Sequence, residues 1–107
     1  MIKVRSVKEL EKFPSPSLPI ESEEDAVRFA VRLEPITMRL QRAEMIINHP
    51  ISWKIRGKLE IQDGQQWWKV RIQSSDILPS FTCVASFDSS GALISKGRPY
   101  NYCDYNK

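Results

Sequence analysis

The stretch Trp53-Lys54-Ile55-Arg56-Gly57-Lys58-Leu59-Glu60-Ile61 alternates apolar and polar side chains. Trp53, Ile55, Leu59 and Ile61 share one face of an extended chain, while Lys54, Arg56, Lys58 and Glu60 share the other. Side chains reverse direction at every residue of a strand, so this pattern predicts a strand with one face against a core. Asp63-Gly64 follows, and then a second run with Trp68, Val70 and Ile72 on its apolar side. An Asp-Gly pair between two such runs specifies a two-residue hairpin, because the favoured turn needs positive φ at both central positions.

Working outward, strands are expected over about residues 51–61, 66–73 and 80–87. The third places Phe81, Cys83, Ala85 and Phe87 on one side. Asp88-Ser89-Ser90-Gly91 is a turn by composition, and residues 92–95 form a short fourth strand. The tail from Arg98 onward, with Tyr100, Tyr102 and Tyr105, has no period.

Upstream, the period changes. Ser22 is placed to cap a helix whose first turn carries Glu23, Glu24 and Asp25, acids that complement the positive end of the helix dipole. Phe29, Leu33, Ile36, Leu40, Ala43 and Ile47 recur at helical steps and form one core-facing stripe. Pro35 lies inside it and predicts a kink or a break. Asn48-His49-Pro50 ends the run.

Before this, Ser6 and Glu9 fit a capping box for a short helix bearing Val7, Leu10 and Phe13. Pro14, Pro16 and Pro19 make a semi-rigid connector. The expected organisation is a short helix and Pro-rich connector over residues 1–19, then a single α+β domain over 20–107. That domain is an N-terminal amphipathic helix, kinked or broken at Pro35, packed on a four-stranded antiparallel meander in two layers.

The chain has 107 residues, 41% hydrophobic and 27% charged, with a net charge of +3. This is one domain with enough apolar mass for a core rich in Trp and Phe. The basic excess is mild, and its meaning depends on clustering. No apolar run is long enough for a signal peptide or a membrane span, so a cytoplasmic protein away from membranes is expected. Cys83 reads as a small buried residue and Cys103 as part of a polar tail. A bond between them belongs to an oxidising compartment.

No catalytic constellation is visible. His49 is the single histidine, and its spacing to the cysteines fits no metal site. There is no phosphate loop or dinucleotide fingerprint. Neither cofactor nor metal is expected.

The element order, Trp68-Lys69-Val70 in the second strand, Phe87-Asp88-Ser89-Ser90-Gly91-Ala92-Leu93 at the last hairpin, and Ala26 and Ala30 in the helix resemble the pattern of PepSY-like and cystatin-like domains. The resemblance spans about residues 20–96. It implies a helix before a curved antiparallel sheet and a binding or regulatory role, often linked to protease inhibition or sensing at the cell envelope.

Two surfaces stand out as candidate contacts. The outward hairpin face gathers Lys54, Arg56, Lys58, Lys69 and Arg71 around Trp67. The tail offers Tyr100 and Tyr102, a residue type enriched at binding hot spots, and also reads as a last strand or arm that packs back on the domain through these two tyrosines. The expectation is a non-enzymatic binding or regulatory module that engages a protein partner through either surface, as monomer or homodimer. The alternative is single-stranded nucleic acid, with the cations on phosphates and Trp67 stacked on a base.

Overall fold

The computed structural model describes residues 1–93 and 101–106. Five antiparallel strands form one open sheet in sequential order: β1 (Ile2–Val4), β2 (Trp53–Gln62), β3 (Gln65–Ser74), β4 (Phe81–Phe87) and β5 (Asn101–Tyr105). A 3-10 helix (Val7–Lys12), α1 (Glu23–Ala30) and α2 (Glu34–Ile47) fill the long connection between β1 and β2.

The α+β class and antiparallel sheet agree with the sequence reading, and two details are corrected. The sheet has five strands in place of four, and the first element is a strand, not a helix. Ile2-Lys3-Val4 is too short to show a period, yet it pairs with Ile55, Lys54 and Trp53 at the edge of the sheet. The tail supplies β5, which pairs with β4 from Ala85↔Asn101 to Phe81↔Tyr105. Of the expected strand over 92–95, Leu93 bridges to Phe87, whereas Ile94 and Ser95 lie outside the described residues.

The hairpin forms as its sequence requires. Asp63 and Gly64 adopt φ of 52° and 75°, and Gln62 faces Gln65 across the turn. Ser22 caps α1 by accepting the Asp25 N–H at 3.1 Å. Pro35 does not kink a long helix. It sits in the first turn of α2, where its missing N–H costs nothing, so the stripe is carried by two helices. Asn48 closes α2 in the left-handed conformation, φ 54°.

The inner sheet face carries Trp53, Ile55, Trp68, Val70, Ile72, Phe81, Cys83, Ala85 and Phe87, all buried. α1 covers β2 and β3, and α2 covers β4 and β5, burying Ala26, Val27, Ala30, Ile36, Leu40 and Ala43 against it. At Gly57 an added Cβ would stand 3.2 Å from Glu23 Cγ and 3.6 Å from Ala26 Cβ. Glycine there lets α1 approach β2 closely.

The cover does not reach the hairpin tip. Leu59 and Ile61 continue the apolar alternation but are 43% and 69% exposed. Alternation tells which face a residue shares, not where the opposing layer stops.

Glu44 ties the layers together. Its Oε2 accepts N–H groups from Val7 at 2.8 Å, Ile51 at 3.1 Å and the Trp53 indole at 3.1 Å. These donors come from the 3-10 helix, the approach to β2 and the middle of the core. Cys83 and Cys103, whose pairing the sequence leaves open, are directly opposed and bonded as a disulfide that clamps β5 to β4.

Candidate binding face

The outer face of the sheet is built by strand pairing alone. Lys3 on β1 opposes Lys54 on β2. On the β2–β3 hairpin, Arg56 opposes Arg71, Lys58 opposes Lys69, and Glu60 opposes Trp67. The rows continue onto β4 and β5, where Arg71 faces Val84 and Val84 faces Tyr102. The next row runs from Lys54 through Gln73 and Thr82 to Asp104.

Lys54, Arg56, Lys58, Lys69, Arg71 and Tyr102 therefore belong to one surface. Sequence reasoning treated the hairpin and the tail as separate candidates, because nothing in the tail's composition shows that it joins the sheet. Lys3 was missed for the same reason, as β1 was not legible. Tyr100 lies outside the described residues.

Electrostatics makes this face unusual. Like charges directly opposed on a sheet are destabilising. Each pair costs about 0.6 kcal/mol at roughly 7 Å in water, and here three such pairs stack in consecutive rows. None of these cations is held in an ion pair among the described residues; the ion pairs there join Arg28 to Glu24 and Asp25 on α1. Lys3, Lys54, Arg56, Lys58 and Arg71 are exposed, and Lys69 is half-buried. The acids at the margins are Glu60 by the hairpin tip and Asp104 on β5.

Trp67 occupies the outer face as the alternation requires, but it is not an open stacking surface. It is half-buried, and its indole Nε1 is buried with no hydrogen-bond partner among the described residues. Glu60 stands directly across from it. A carboxylate at that place repels a phosphate backbone.

His49 is exposed at the end of α2, and no cluster of His, Cys, Asp or Glu among the described residues could hold a metal ion. Asp88 organises the turn after β4. Its Oδ1 accepts from Ser90 Oγ at 2.6 Å and from the N–H groups of Ser90 and Ala92 at 2.9 Å each. The Ser90 hydroxyl holds the Asp88 carboxyl below its ordinary pKa against burial, which raises it, and the backbone N–H groups of Ala92, Ser90 and Gly91 add to the lowering. No helix is long and apolar enough to cross a membrane among the described residues.

No protein-family model, curated protein or solved structure matches the chain.

Proposed function

We propose that the protein is a non-enzymatic binding module whose basic outer sheet face docks an acidic segment of a protein partner. One observation carries the reading. Three like-charged cross-strand pairs, Lys3–Lys54, Arg56–Arg71 and Lys58–Lys69, are stacked on one surface without a neutralising acid among the described residues. Their mutual repulsion is relieved when an anionic partner covers them. Tyr102 at the same surface offers an aromatic contact beside the cations.

The resemblance to PepSY-like and cystatin-like domains points the same way, since helices preceding four successive antiparallel strands are in keeping with that pattern. The Cys83–Cys103 bond supports an oxidising compartment over the reducing cytoplasm. The half-buried Trp67 and the facing Glu60 favour acidic protein over single-stranded nucleic acid.

The test uses a fluorescent peptide rich in Glu and Asp and, in parallel, a single-stranded oligonucleotide, each titrated at low and moderate salt. The peptide is expected to bind and to weaken several-fold as screening shortens the reach of the cations. Arg56→Gln with Arg71→Gln is expected to abolish most of the binding. Tighter binding of the oligonucleotide with Trp67 quenching would replace the protein partner with nucleic acid, and binding that ignores the double variant would discard this surface.

A further inference from the structure

The edge of β2 beyond β1 carries no paired strand among the described residues. β1 pairs only as far as Ile55, so residues 57–61 have no described strand neighbour on that side. Glu23 Oε2 accepts the Gly57 N–H at 3.0 Å. Successive residues of a strand point their N–H and C=O groups to opposite sides, so Gly57, Leu59 and Ile61 aim theirs at the open edge. Leu59 and Ile61 are also the exposed end of the apolar face. Proteins blunt such edges, because an open edge with apolar side chains is a template for another strand.

The segment Gly57-Lys58-Leu59-Glu60-Ile61 is complementary to itself when two copies run antiparallel about Leu59. We propose that two copies of this chain pair along this edge. Leu59 then opposes Leu59 of the second copy and exchanges both backbone bonds with it. Lys58 opposes Glu60 of the second copy, and Glu60 opposes its Lys58, giving two opposite-charge pairs on the outer face. Ile61 reaches the Gly57 carbonyl of the second copy and packs beside the Glu23 stem and Ala26, which line Gly57. The Ile61 carbonyl of the second copy faces the Gly57 N–H, so Glu23 Oε2 gives up that one hydrogen bond on pairing. Moving the two-fold centre by one residue in either direction would set Glu60 against Glu60 or Lys58 against Lys58, which selects the Leu59-centred pairing.

The two-fold axis stands perpendicular to the sheet, so both basic faces lie on the same side of one continuous sheet, in which the hairpin tip of each copy ends against β1 of the other. Self-association does not depend on the acidic partner, and its test needs none. Sedimentation equilibrium of the disulfide-bonded full chain is expected to show a monomer–dimer equilibrium. Lys58→Glu alone and Glu60→Lys alone each turn both outer pairs into like charges and are expected to weaken dimerisation by at least about ten-fold. Mixing the two variants restores Glu–Lys pairs in both positions and is expected to recover the dimer as a heterodimer. Both sites are on the sheet surface, and far-UV circular dichroism verifies that each variant is folded. A monomer at the highest soluble concentration overturns the proposal, as does a dimer indifferent to either variant or a mixture that fails to associate.

Discussion

Removing the Glu44 carboxylate tests how the layers are joined. In Glu44→Ala, the N–H groups of Val7, Ile51 and the Trp53 indole lose a common acceptor. All three residues are buried, Ile51 and Trp53 fully. A hydrogen bond to a charged group contributes about 1.5–3 kcal/mol, and a stranded buried donor costs about 1–3 kcal/mol. Three independent losses would exceed most of a domain's stability, but they share one oxygen and Glu44 is only half-buried, so water replaces part of it. The expected cost is about 3–4 kcal/mol, a large share of a typical 5–15 kcal/mol. At about 4–8 °C per kcal/mol for a domain of this size, Tm falls by roughly 15–25 °C. Glu44→Gln keeps an oxygen acceptor without its charge, and charge assistance is about half the strength of such a bond, so its cost is expected near 2 kcal/mol. Urea unfolding followed by tryptophan fluorescence reads both values, with the slope unchanged. A cost below about 1 kcal/mol for Glu44→Ala, the range of ordinary surface changes, refutes the keystone role.

Other perturbations have defined outcomes. Gly91 has φ 87°, and an added Cβ would sit 2.7 Å from Phe29 Cε2, so Gly91→Ala is expected to cost about 2–4 kcal/mol by combined strain and overpacking, read by denaturant unfolding. Cys103→Ser opens a link spanning 20 residues and is expected to lower stability by up to about 3 kcal/mol, with early amide exchange in β5. Because the folded Asp88 pKa is depressed, its contribution is present above the unfolded value near 3.9 and is lost as pH falls through the folded pKa. Asp88→Asn is therefore expected to flatten the acid limb of the stability curve, and carboxyl NMR titration should find Asp88 below an ordinary aspartate. Arg56→Gln relieves one like-charge row and is expected to raise stability by a few tenths of a kcal/mol while weakening acidic-peptide binding; equal loss of both would argue that the arginine serves the fold.

Much of this architecture is legible in the chain because it rests on local chemistry. The 53–61 alternation, the Asp63-Gly64 turn, the Ser22 cap and the Pro35 break each follow from residues within a few positions of one another. What escaped the sequence is what depends on distant partners. β1 has three residues and gains its identity from β2. β5 is largely polar and is held by its register with β4 and by the disulfide. Glu44 reads as an ordinary helix residue until three donors from elsewhere converge on it. The basic residues of the hairpin were visible, but their union with Lys3 and Tyr102, and the shielding of Trp67, needed the sheet.

The central claim is that the outer face of β2 and β3 receives an acidic protein segment. Amide NMR of the labelled, disulfide-bonded protein titrated with a Glu- and Asp-rich peptide tests it most directly. The account predicts salt-sensitive shifts concentrated at Lys3, Lys54, Arg56, Lys58, Lys69, Arg71 and Tyr102, with the core under α1 and α2 unmoved. Shifts confined to the helices, or none at low ionic strength, would contradict it.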